Sequence, residues 1–143
     1  MEVKTETYSQ MSFRHQKEID EFPIGAAFSN KQFEEMMQKW GLKATDTKEI
    51  LSLGAGCYIR KSDEPAFTEM MKRHSREMEE AVKADQAGDG FIFQMFRDEL
   101  NNHEYGYTGD ESDTLEALGL TLEEIENNPA LLAGFNKAKE HCA

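Results

Sequence analysis

The apolar residues of this chain recur at helical spacing in about six stretches, and β-prone runs appear only around one glycine-rich turn. That alternation restricts the fold more than any other feature. Tyr8, Met11, His15, Ile19 and Phe22 share one side of a helix over 7–21. Phe22-Pro23 closes it, because the residue before proline disfavours the α region. Ile24-Gly25-Ala26-Ala27-Phe28 is a connector or a short strand. Ser29 with Gln32 makes a capping-box pattern ahead of Phe33, Met36, Met37 and Trp40, and Gly41 is placed to close that helix. Glu49 to Leu53 and Cys57 to Arg60 flank Gly54-Ala55-Gly56, which reads as a hairpin. A lone hairpin is marginal in water, so this one must pack on helices or on a further strand.

The second half continues the helical pattern. Asp63 can cap a long helix with Pro65 in its first turn and Phe67, Met70, Met71, His74, Met78, Ala81 and Val82 on its inner stripe. Asp89 can cap the next helix, with Ile92, Phe93, Phe96 and Leu100 inward. Residues 105–110 read as a loop, Leu115 and Leu118 as a short helix stopped by Gly119, and Thr121 with Glu124 as a second capping box. Asn128-Pro129 opens a last helix through Ala138. The expected fold is α+β and mostly α, about six helices with one small β-hairpin. With 143 residues it forms a single domain over 1–143, frayed at 1–6 and 140–143.

Charge then narrows the function. The formal net charge is −12, divided as −3 over residues 1–88 and −9 over 89–143. No basic side chain stands between Arg97 and Lys137, while ten carboxylates do. Such a balance excludes a general nucleic-acid binder, which needs a basic face to displace counterions, and docking on anionic membranes. No apolar run reaches the ~20 residues of a membrane span, and the N-terminus lacks a signal-peptide core. Two cysteines are too few for a disulfide framework, so a reducing cytoplasm is expected. Gly54-Ala55-Gly56 lacks the third glycine and the following helix of a dinucleotide fingerprint.

Three histidines fall on apolar stripes with a carboxylate on the same helical side: His15 with Glu18, His74 with Glu77, His103 with Glu99. Imidazole and carboxylate are ligands for zinc, iron or manganese. The favoured set for one divalent metal, zinc first, is His74, Glu77, Glu99 and His103, with His15 optional. The competing reading caps each histidine with its own glutamate as a satisfied polar pair. If the helix before it ends at Asn101 or Asn102, His103, Glu104, Tyr105 and Tyr107 can gather into one patch; otherwise the tyrosines pack beneath the loop. Cys57 reads as a small strand residue, and Cys142 as part of a frayed end.

Ala27-Phe28-Ser29, Gln32-Phe33-Glu34-Glu35, the Gly54 to Lys61 hairpin, Asn102-His103-Glu104-Tyr105 and the run Thr114 to Leu120 together carry a resemblance. The chain is similar, from about Glu21 to Ala138, to a group of small uncharacterised proteins encoded by gut bacteria and their phages and conjugative elements. The resemblance implies a mobile-element setting, in which small acidic proteins are often antagonists of host nucleases, of anti-restriction or anti-CRISPR type. It brings no catalytic residue with it.

Two functions from different classes follow. The first is an acidic inhibitor that occupies a basic nucleic-acid-binding surface on a host defence protein, such as a CRISPR effector, without touching nucleic acid or membrane. Its contact residues are Asp110, Glu111, Asp113, Glu116, Glu123, Glu124 and Glu126. Helical carboxylates three and four apart stand ~5–6 Å from one another, close enough to imitate a line of phosphates. The second is a metal-dependent enzyme, a hydrolase, or a metal-stabilised accessory protein, built on the histidine–glutamate cluster. The blander alternative makes the acidity a matter of solubility alone.

Overall fold

The computed structural model describes residues 6–143. It is mostly α with a small sheet. Among the described residues there are eight α-helices: α1 (Tyr8–Glu21), α2 (Asn30–Lys39), α3 (Glu64–Ala84), α4 (Phe91–Asn102), α5 (Tyr105–Thr108), α6 (Ser112–Leu118), α7 (Leu122–Glu126) and α8 (Pro129–Cys142). Strands β1 (Gly25–Ala26), β2 (Ile50–Gly54) and β3 (Cys57–Arg60) form an antiparallel sheet in the order β1-β3-β2. None of these helices is long and apolar enough to cross a membrane. The described residues gather into two compact units, 6–14 with 77–143 and 15–76.

The unit of 15–76 holds the sheet. The hairpin expected around Gly54-Ala55-Gly56 is present, and the Ile24–Phe28 connector supplies the third strand, with Gly25 opposite Tyr58 and Ala26 opposite Cys57. Ser29 caps α2 by accepting from the Gln32 amide at 3.2 Å. Gln32 closes the box one residue further out, its Oε1 accepting from the Phe28 amide at 2.8 Å. Gly41 takes a φ of +72° just past the end of α2, as a closing glycine must. The core of this unit is Ala27, Met36, Met37 and Ile50, with Phe33, Trp40, Leu42 and Tyr58 against it. Asp63 does not cap α3: it lies in a 3-10 turn, Lys61–Asp63, and its carboxylate accepts from Arg60 Nε at 2.8 Å. Met71 is exposed rather than inward.

The other unit is built on α4 against α8. Ile92, Phe96 and Leu100 are wholly buried as expected, joined by Phe91 and Met95, whereas Phe93 is only half-buried. Close approach of the two helices depends on Gly134, where a Cβ would meet the Gly88 carbonyl oxygen at 2.5 Å. The N-terminus of α4 is held by Asp85, not Asp89. The Asp85 carboxylate accepts from the amides of Gly88, Gly90 and Ile92 at 3.0–3.1 Å. The last helix also runs past its expected end at Ala138, to Cys142. The Cys142 thiol sits 3.7 Å from the Arg97 carbonyl oxygen, and burial pushes its pKa up. Residues 1–5 of the expected frayed N-terminus lie outside the described residues.

Candidate functional site

The acidic stretch folds into short helices whose apolar residues are anchored and most of whose carboxylates are exposed. α4 ends at Asn102, and Glu104 follows with a positive φ of 56°. The expected loop contains one helical turn, α5, in which Tyr105 packs against the core while Tyr107 is 94% exposed. Gly109, at φ +69°, ends that turn. Asp110 then accepts from the Ser112 amide at 2.9 Å, a bond that holds its carboxyl below the usual pKa. α6 is pinned by Thr114, which is completely buried and donates its hydroxyl to the Glu99 carbonyl oxygen at 3.3 Å. Leu115 and Leu118 pack with it, and Gly119 closes the helix at φ +67°. Thr121 caps α7 by accepting from the Glu124 amide at 3.2 Å, and Ile125 plugs α7 into the core with no exposed surface.

Helical spacing then turns the remaining residues outward. Asp110, Asp113, Glu116, Glu123, Glu124 and Glu126 are all exposed, and among the described residues none of them forms an ion pair. Glu111 differs: it is half-buried and lies 3.4 Å from Lys139 Nζ. Six of the seven expected contact residues are therefore presented to solvent, and the seventh ties α8 to the start of α6. Leu122, 44% exposed, stands beside Glu123, as Tyr107 stands near Asp110.

The expected metal ligands are engaged elsewhere. His74 is buried and bonded through Nε2 to Glu18, not to Glu77. Arg73 Nη2 also donates to Glu18, at 2.8 Å, and with the His74 bond it lowers the Glu18 pKa to about 2. A carboxylate so ionised only accepts, so Nε2 of His74 carries the proton in that bond. The His15 ring, also buried, stacks on His74 at 3.9 Å with 15° between planes. Glu77 lies 3.0 Å from Arg14 Nη1.

Glu99 and His103 do come together, at 3.6 Å across one helical turn. Glu99 also accepts from the Tyr8 hydroxyl at 2.8 Å. Burial first, and that bond second, push the Tyr8 pKa well up. Tyr8 and Glu99, but not His103, border a polar cleft of about 360 Å³ with Ser9, Ser12, Asp98, Asn101 and Asn102. Among the described residues no group of three or more His, Cys, Asp or Glu side chains is placed to hold a metal ion. The set His74, Glu77, Glu99 and His103 is thus replaced by three separate polar pairings. Glu104 and Tyr107 are exposed and His103 and Tyr105 half-buried, and among the described residues no side-chain bond joins the four into a catalytic group.

Sequence reasoning missed Tyr8, Arg14 and Arg73 as partners. Tyr8 sat on an apolar stripe, and its hydroxyl finds Glu99 91 positions away. No local spacing signals such a pair.

Comparison with known sequences places residues 7–141 in one family model, DUF7659, described as a family of unknown function. No curated protein and no solved structure matches the chain.

Proposed function

The chain belongs to the DUF7659 family, whose function is unknown, and we propose that it is a non-catalytic acidic binding protein of the cytoplasm. It docks on a basic, nucleic-acid-binding surface of another protein and so blocks that surface, in the manner of an anti-restriction or anti-CRISPR inhibitor. One observation carries the reading: six exposed carboxylates without an ion-pair partner among the described residues, on short helices fixed from beneath by Thr114 and Ile125. The pairs Asp113–Glu116 and Glu123–Glu126 are three residues apart on their helices, a spacing of ~5–6 Å that suits a groove made for phosphates. Exposed Tyr107 and Leu122 supply the apolar contact that charge alone lacks, since aromatic anchors dominate binding energy while charge sets rate and selectivity.

The test is kinetic. A partner captured from lysate of the cells that carry the gene should lose association rate steeply as salt rises, with a smaller change in dissociation rate. An association rate indifferent to salt, or a partner without a basic surface, contradicts the reading.

A further inference from the structure

Among the described residues, the sheet ends in a strand with no further strand on its outer side, beside a groove. β1 is an edge strand in the order β1-β3-β2. The Ala27 amide donates to the Gly56 carbonyl oxygen at 2.8 Å, and the register sets Gly25 opposite Tyr58. Antiparallel pairs alternate, so the residues that exchange bonds with β3 are Gly25 and Ala27. The N–H and C=O of Ala26, between them, point away from the sheet, and Ala26 is exposed.

Along this strand runs a groove of about 500 Å³ between β1 and α2, floored by Met36 and Trp40. The helix lies hard against the strand: a Cβ on Gly25 would meet Met36 Sδ at 2.5 Å and Trp40 Cη2 at 2.8 Å. Phe28, 74% exposed, borders the groove, as do the exposed Glu35 and Lys39, four residues apart on α2.

We propose that this groove binds an extended peptide segment of another protein, which adds to β1 as a fourth strand and sets an aromatic or aliphatic side chain on Met36 and Trp40. An outward main-chain donor and acceptor call for another backbone, which a small apolar molecule would leave unmatched. Side chains of an extended peptide alternate, so the residues two positions before and after the apolar anchor share its face. A basic one there meets Glu35 and an acidic one meets Lys39, which complements both rim charges. The site is separate from the acidic helices, so it stands or falls without the proposal above.

The probe is the blocked peptide acetyl-Lys-Thr-Phe-Thr-Glu-amide, with three versions singly N-methylated on the amides of its second, third and fourth residues. Trp40 is the one tryptophan of the chain, so its emission reads the groove directly. The peptide should shift that emission and slow hydrogen exchange at the Ala26 amide. At least one N-methylated version should bind about tenfold more weakly, as expected for a lost backbone bond. Ala26→Pro, a substitution that an edge position tolerates, should weaken binding of the unmodified peptide to a similar degree. Three results overturn the proposal. The first is no response of Trp40 or Ala26 at millimolar peptide. The second is equal binding by all four peptides. The third is Ala26 protection that depends on protein concentration alone, which would give the edge to a second copy of the chain.

Discussion

Glu18 and Glu123 are both glutamates on helices, yet they serve opposite ends. Glu18 takes a bond from Arg73 and another from the buried His74, and its pKa falls to about 2. Glu123 sits exposed on α7 with no ion-pair partner among the described residues. The difference originates in the distribution of bases: 13 of the 16 Lys and Arg side chains lie in residues 1–88, and none between Arg97 and Lys137. With Arg73 and His74 within reach, Glu18 becomes part of the framework. Where bases are absent, the fold leaves carboxylates exposed.

That contrast breaks most visibly at Glu18. Glu18→Ala leaves His74 buried without its acceptor and removes the carboxylate that Arg73 Nη2 bonds, and should cost about 1–3 kcal/mol in urea unfolding. The pH dependence follows from the same group. Its folded pKa of about 2 lies below the ordinary 4.5, so its stabilisation is complete above 4.5 and is lost as pH falls from there towards 2. Glu18→Gln should remove that part of the acid limb, while neutralising Glu123 should leave the limb unchanged.

Thr121→Ala should cost about 1 kcal/mol, because Thr121 supplies the cap that sets α7 and with it three of the exposed carboxylates. The smallest effects belong to the exposed side chains themselves. Glu123→Gln and Glu126→Gln should each change stability by less than about 0.5 kcal/mol, in either direction. A larger loss in either would mean that these carboxylates hold the fold together after all.

Local signals were readable from the chain because they act over one turn. Gly41 and Gly119 end helices in the left-handed conformation, and Ser29, Thr121 and Asn128 cap them, all within four residues of their partners. The exposed carboxylates were readable for the same reason: with Thr114 and Ile125 inward, helical period sends Asp113, Glu116, Glu123 and Glu126 outward. The polar partners were not. His74 has a glutamate three residues along its own helix, but the bond goes to Glu18, 56 residues back. Asp85 displaces Asp89 as the cap of α4 because the intervening turn, with Gly88 at a φ of +80°, folds three amides onto it. β1 is two residues long, too short for any periodicity, and exists because β3 lies alongside. Cys142 falls within α8, with its thiol 3.7 Å from the Arg97 carbonyl oxygen 45 positions back, a contact no local spacing signals.

The central claim is that the unpaired carboxylates serve a partner. It is tested most directly by replacing Asp110, Asp113, Glu116, Glu123 and Glu126 together with their amides and comparing capture of the basic partner with wild type. Shape and caps are preserved, because Glu111, Thr121 and Glu124 are untouched and an asparagine at 110 can still accept from the Ser112 amide. The account predicts an unchanged urea midpoint, or a slightly higher one from relieved repulsion, and loss of the partner. Retention of the partner by this variant, at undiminished affinity and salt dependence, would contradict it.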